Sequence, residues 1–178
     1  MTKRVLLTGG PGFGKSSIIE EMERRGLNVH HEIARNIIQQ SIETGGTSTP
    51  WQDIDLFSKL VLEGRIQQFH ESVNTTSFYD RGIPDIAGFL KKEKQAIPAA
   101  LWQHCESLKY FRLVFITPPW EAIFQKDPER KEDFVAAIKV HKALESIYIE
   151  LGYKLIPVPM GSITQRADFI LNFPGVRS

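Results

Sequence analysis

A chain of 178 residues, 42% hydrophobic and 24% charged, has the length and composition of one packed domain, which excludes wholesale disorder, collagen and coiled coil. Its 22 Lys and Arg against 21 Asp and Glu leave a net charge of +1, which argues against a surface that coats nucleic-acid phosphates. The single cysteine, Cys105, excludes an internal disulfide framework and a Cys-rich zinc site.

No apolar run reaches the ~18 residues that a membrane span needs. Lys3 and Arg4 precede only Val5-Leu6-Leu7 before glycines intervene, which is too short for a secretory leader. The expected location is the cytoplasm, and the expected organisation is one domain over residues 1–178.

Lys3 to Thr8 (KRVLLT) reads as a short buried strand that ends in glycines. Gly9 to Gly14 is a turn. From Lys15 the apolar residues Ile18, Ile19 and Met22 recur at helical spacing, and Gly26 ends the run. Leu27 to His31 is a second strand. Ile33, Ile37, Ile38 and Ile42 mark a helix closed by Gly45-Gly46, and Thr47 to Pro50 is a loop. Asp53 to about Val73 is a long amphipathic helix with Ile54, Phe57, Val61, Leu62, Ile66 and Phe69 on its apolar face.

Ser77 to Asp80 is a brief strand that ends on an acid. Pro84 sits near the start of a helix carrying Ile86, Phe89 and Leu90. Pro98 opens another with Leu101, Trp102, Cys105 and Leu108, where Cys105 is expected to be a half-buried thiol. Phe111 to Thr117 (FRLVFIT) is the clearest strand, stopped by Pro118-Pro119. A helix is expected from Trp120. Phe134 to Leu151 is helical, Gly152 ends it, and Tyr153 to Val158 is the fifth strand, with Pro157 marking its end or a sheet edge. Ser162 caps a last helix through Leu171. Trp51, Trp102 and Trp120 read as packing residues. Short apolar strands alternating with helices describe a parallel sheet covered on both faces, with active groups beyond the strands' carboxyl ends.

The segments that leave the strand ends therefore carry the chemistry. Gly9-Gly10-Pro11-Gly12-Phe13-Gly14-Lys15-Ser16, continued by Ser17, has the phosphate-loop spacing G-x-x-x-x-G-K-S between a strand and a helix. Its glycines let backbone N–H groups turn inward around a polyphosphate at a positive helix end. Lys15 supplies a charge for the outer phosphates, and Ser16 a hydroxyl for Mg²⁺. The second strand leads into His31-Glu32-Ile33-Ala34-Arg35, where Glu32 can accept a hydroxyl proton or hold Mg²⁺ through water. The third leads into Asp80-Arg81-Gly82 and then Asp85. Asp80 can hold the metal or act as base, and Arg81 can clamp an anionic or planar substrate. Asp85-Ile86-Ala87-Gly88 matches D-x-x-G only by letters, inside a helix and with no N-K-x-D, so a signalling GTPase is discounted.

The polar, Pro-broken stretch Gln125 to Lys131 reads as part of a lid around 125–133 that brings Lys126 or Arg130 to a transferring phosphate. Pro157 to Gly161 is a candidate contact for the nucleotide base. His30 and His31 point to opposite faces of a strand and read as structural.

The ordered set G-G-P-G-F-G-K-S, H-E-I-A-R, F-Y-D-R-G-I-P-D, F-I-T-P-P-W with D-P-E-R, and L-G-Y-K-L-I-P-V-P resembles one family along nearly the whole chain. It is similar to the AAA-type P-loop domain shared by the ribosylnicotinamide kinase module of an NAD-biosynthesis regulator and a translocation defect protein. The resemblance implies a three-layer α/β fold with a five-stranded parallel sheet in the order 2-3-1-4-5. It implies Mg-ATP or Mg-GTP at Gly9–Ser16. By position Asp80, Glu32, Arg35 and Arg130 fall on the acid, E-x-A-R and lid-arginine positions of the kinase module, which has no arginine where Arg81 stands.

Two functions are expected to compete. The first is a small-molecule kinase in which Lys15, Asp80, Glu32 and Arg130 are catalytic, while Glu32, Arg35, Arg81 and Asp85 hold a nucleoside-like acceptor. Ser16 and Asp80 would hold its Mg²⁺. The second is a nucleotide-dependent regulator with slow hydrolysis and a protein or anionic-lipid partner.

Overall fold

The computed structural model describes residues 3–71, 74–124 and 133–176. Its elements in chain order are β1 (Arg4–Thr8), α1 (Lys15–Arg24), β2 (Asn28–His30), α2 (Ile33–Thr44), α3 (Ile54–Glu71), β3 (Ser77–Asp80), α4 (Ile83–Lys92), α5 (Ala99–Ser107), β4 (Leu113–Ile116), a 3-10 turn (Glu121–Ile123), α6 (Phe134–Glu150), β5 (Lys154–Pro157) and α7 (Ile163–Leu171). All strand pairings are parallel, in the order β2-β3-β1-β4-β5. Helices cover both faces, so β1, β3 and β4 are apolar on both sides.

Alternation along the strands splits the interior into two cores. Leu6, Tyr79 and Val114 point to one side, against residues of α3 to α6 such as Val61, Ile86, Cys105 and Ile147. Val5, Leu7, Phe78, Phe115 and Ile156 point to the other, against Ile18, Ile19 and Met22 of α1 and Ile170 of α7. β1 lies between β3 and β4, so the glycine turn at its carboxyl end sits over the middle of the sheet.

The element ends obey local rules. Gly45 ends α2 in the left-handed region (φ 68°), Pro98 precedes α5, and Ser162 and Gln165 form a reciprocal cap on α7. β5 is an edge strand, where Pro157 is tolerated. Two local readings are corrected. The helix expected from Trp120 is only a 3-10 turn, because Phe124 leaves helical geometry and packs its ring on Phe13 and Phe134 at 6.4 and 5.4 Å. Cys105 is fully buried rather than half-buried, and burial pushes its thiol up to about 12. The stretch 125–132 of the expected lid lies outside the described residues; Asp133 caps α6, accepting from the Ala136 N–H at 2.8 Å. Among the described residues no helix is long and apolar enough to cross a membrane.

α4 and α6 pack closely where Gly88 faces Leu144: a Cβ at position 88 would lie 2.5 Å from Leu144 Cδ2 and 3.3 Å from its Cα. Gly88→Val should therefore cost about 1–3 kcal/mol of stability by overpacking. Denaturant titration of the purified chain measures it.

Candidate functional site

The turn after β1 is built around close approaches. Gly9 has φ 132°, and a Cβ there would lie 2.4 Å from Thr117 Oγ1 and 2.7 Å from its carbonyl oxygen. A Cβ on Gly10 would meet the Phe13 ring at 2.4 Å and the Ala137 carbonyl at 2.6 Å. Gly14 caps α1 at φ 79°, and the first turn of α1 carries no acid. The helix thus offers its N-terminal N–H groups to an anion. The buried Phe13 ring anchors the loop from below, edge-on to Phe134 at 5.9 Å. Lys15 is 4% exposed, and its Nζ donates to the Gly10 carbonyl at 2.8 Å, across the loop.

The carboxyl ends of β2 and β3 bring acids to this loop. Asp80 ends β3 and is buried; its Oδ2 accepts from Ser16 Oγ at 2.8 Å, while Oδ1 is buried with no partner. Glu32 precedes α2 as its N-cap residue and accepts from Arg81 Nε at 2.6 Å. Arg81 adopts φ 70°, and its Nη1 donates to the Gly9 carbonyl at 3.0 Å and to Asp85 Oδ1 at 3.1 Å. Asp85, in the first turn of α4, also accepts from Thr8 Oγ1 at 2.6 Å, the Gly82 N–H at 2.8 Å and Tyr148 OH at 2.5 Å. Arg65 of α3 donates to the Asp80 carbonyl at 2.8 Å and to Gln68 Oε1 at 3.2 Å.

The two acids facing the loop are shifted in opposite directions. Burial alone would raise Glu32, but the charge of Arg81, and then of Lys15 and Arg65, holds it at about 2. Burial raises Asp80, and repulsion from Glu32 adds to it, against the pull of Lys15 and Arg81. Burial opposes the charge on Arg81, yet Glu32, Asp85 and Asp80 hold it above the ordinary arginine value. Burial, followed by the charge and hydrogen bond of Asp85, raises Tyr148 well above its ordinary value, which keeps it a donor.

The orphaned Asp80 Oδ1, next to the Ser16 hydroxyl, is an oxygen donor set that fits Mg²⁺. Among the described residues no cluster of three His, Cys, Asp or Glu could hold a metal without further ligands. Mg²⁺ in phosphate sites takes one or two protein oxygens and completes its shell with phosphate and water.

Beside the loop, between α2, α3 and α4, lies a cavity of about 130 Å³. Lys15, Glu32, Arg35, Arg81 and Asp85 line it together with the apolar Ile38, Trp51, Ile54, Phe57 and Phe89. Glu32, Arg35, Arg81, Asp85 and Lys15 thus line one cavity, while Asp80 does not line it and instead bonds Ser16. The stretch Pro157–Gly161 starts at the last residue of β5, two strands away from β1, and Met160 is 57% exposed. Arg130 and Lys126 lie outside the described residues.

Trp51 is not a packing residue: it is 39% exposed and walls the cavity. Sequence reasoning also misses Arg65, Phe57 and Phe89 as lining groups. Arg65 does leave a signal. It is the one cation on the buried stripe Val61-Arg65-Phe69 of α3, four residues from each apolar neighbour.

A parallel sheet of this order, with a glycine loop running into a helix after its central strand, is a P-loop nucleotide-binding fold of the kinase-like type. The model of the AAA domain family matches residues 4–166, and the chain belongs to that family. The deoxyadenosine kinase of M. mycoides, solved with the product dCMP and a flexible dCDP, is similar in fold. Its TM-score is 0.64 at 14% identity, over 95% of this chain and 97% of that one. The NadR protein in complex with NR gives a TM-score of 0.68 at 16% identity, over 99% of this chain and 52% of that one. NadR with NAD and AMP-PNP gives 0.66 at 16%. This chain therefore spans about half the length of NadR. No curated protein matches it at a significant level.

The opposed shifts give opposed expectations. Asp80→Asn removes a buried carboxylate whose folded pKa is raised, a burden that grows as pH rises above the ordinary 3.8. That variant should gain about 1 kcal/mol at neutral pH, a rise of roughly 2–4 °C in Tm. Glu32→Gln should do the reverse. The folded pKa of Glu32 is depressed, so its contribution is complete above 4.5 and is lost as pH falls from there through about 2. Thermal melts of both variants between pH 3 and 8 check the two signs.

Proposed function

We propose that the chain is an Mg²⁺-dependent phosphotransferase that moves the γ-phosphate of ATP or GTP to a hydroxyl of a small, nucleoside-like acceptor. One observation carries the reading. The cavity beside the phosphate loop is lined both by apolar side chains, among them Trp51, Phe57 and Phe89, and by Lys15, Glu32 and Arg81. A ring seated between Trp51, Phe57 and Phe89 would direct its hydroxyl toward the phosphates. The kinase-like fold neighbours support the same reading.

In this scheme the residues divide their tasks by position. Lys15 leaves the Gly10 carbonyl and meets the outer phosphate oxygens. Glu32 lines the cavity and Asp80 does not, so Glu32 receives the acceptor hydroxyl and Asp80 stays with Ser16 on the metal side. A carboxylate as acidic as Glu32 is a weak base. Phosphoryl transfer through a loose transition state asks mainly that the hydroxyl be oriented, with its proton leaving late. Arg81, fixed between Glu32 and Asp85, keeps Glu32 ionised and aimed. Arg35 borders the cavity from α2 and completes the acceptor site. Mg²⁺ held by Ser16 and Asp80 would neutralise charge on the β- and γ-phosphate oxygens. Arg130 is assigned to closure over the phosphates.

A second reading, a nucleotide-dependent regulator with slow hydrolysis and a protein or anionic-lipid partner, is favoured by one feature. The Glu32 carboxylate is already engaged by Arg81 at 2.6 Å.

ADP and GDP release with Mg²⁺, with and without a pool of nucleosides that includes nicotinamide riboside, separates the two. The kinase reading expects a strong acceptor-dependent rise, and splitting the pool names the acceptor. It also expects Glu32→Gln to lower kcat by about 10²–10⁴ with the nucleotide KM unchanged. A flat, slow rate with tight nucleotide binding overturns it in favour of the regulator.

A further inference from the structure

The phosphate loop has a second basic neighbour, one with no part in the proposed transfer. Arg166, in the first turns of α7, is 2% exposed. Its Nη2 donates to the Phe13 carbonyl at 3.0 Å, across 153 residues of sequence. Its Nη1 lies 2.5 Å from where a Cβ on Gly14 would sit. The guanidinium lies 5.5 Å from the centre of the Trp120 ring. Its Nε is buried without a partner, and among the described residues no carboxylate pairs with it. Among the described residues burial is the only influence on its acidity, and it works against the charge.

A buried cation with no counter-ion is unfavourable, and it persists where something else requires it. Here the requirement is next to it. In a trans peptide the carbonyl and the next residue's N–H point in opposite directions, and the chain has no cis peptide among the described residues. A guanidinium that holds the Phe13 carbonyl therefore leaves the Gly14 N–H pointing away from itself. Gly14 is also the N-cap of α1, where the helix N–H groups converge.

We propose that Arg166 is a positioning residue of the phosphate loop. It fixes the Phe13–Gly14 peptide with its N–H toward the phosphates, and it supplies, beside Lys15, a second cation whose counter-ion is the nucleotide polyphosphate. It serves the phosphates and not the base. The inference rests on nucleotide binding at the loop and not on phosphate transfer, so it can be read where no acceptor is turned over.

Calorimetric titration of the full chain with pyrophosphate and with ADP, each with Mg²⁺, tests it in Arg166→Met and Arg166→Lys. Arg166→Met should weaken both ligands by the same factor, about tenfold or more, as expected for the loss of a charged donor. It should also make their binding less sensitive to salt. Arg166→Lys keeps the charge but cannot reach the Phe13 carbonyl and Gly14 together. It should keep the salt dependence and still bind pyrophosphate several-fold more weakly. Weaker ADP binding with unchanged pyrophosphate binding would assign Arg166 to the base and overturn the proposal. A lower Tm with both affinities unchanged would make it purely structural and also overturn it. Should Arg166→Met not fold, pyrophosphate binding by Arg166→Lys decides alone: unchanged affinity refutes the positioning role.

Discussion

Asp85 is the carboxylate on which the rest of the site depends. It is 3% exposed and accepts from Thr8 at the end of β1, from Arg81 and the Gly82 N–H after β3, and from Tyr148 on α6. A buried charge is tolerated only when its oxygens are filled, and four donors fill these. The same bonds set the root of the phosphate loop, the turn that carries Arg81 and the helix beneath them at defined distances. Arg81 then reaches Glu32 and the Gly9 carbonyl, so one buried anion orders the approach from the sheet to the cavity.

Around that anchor the charges balance in number. Lys15, Arg65 and Arg81 face Glu32, Asp80 and Asp85. Balance in number is not balance in energy. Glu32 has its partner and is held strongly acidic, while Asp80 has only a hydroxyl and an unpaired oxygen and is pushed up. The difference in partners is what pushes the two neighbouring carboxylates in opposite directions.

Much of the fold is legible from local patterns. The apolar strand runs, the glycines at 26 and 45, Pro98 and the Ser162 cap each act within a few residues, where turn chemistry and side-chain spacing decide the outcome. The loop from Gly9 to Ser16 is legible for the same reason. The turn at Trp120 departs from its local pattern because Phe124 leaves the helix for the rings of Phe13 and Phe134, of which Phe13 is distant in sequence. Trp51 departs from the packing role expected of it because an aromatic residue in a loop looks the same whether it faces a core or a cavity.

By itself the sequence determined the alternation of strands and helices, the phosphate loop, the acid that follows β2 and the acid that ends β3, since all of these are written in contiguous residues. Only the tertiary structure decided which charges meet. It closed the Thr8–Asp85–Tyr148 chain, placed Arg65 on the Asp80 carbonyl, raised Trp51, Phe57 and Phe89 as cavity walls, and set Arg166 behind the loop. The physical reason is range. Propensity and periodicity act over a turn or two of chain, whereas burial and charge act through space, between residues that only packing brings together.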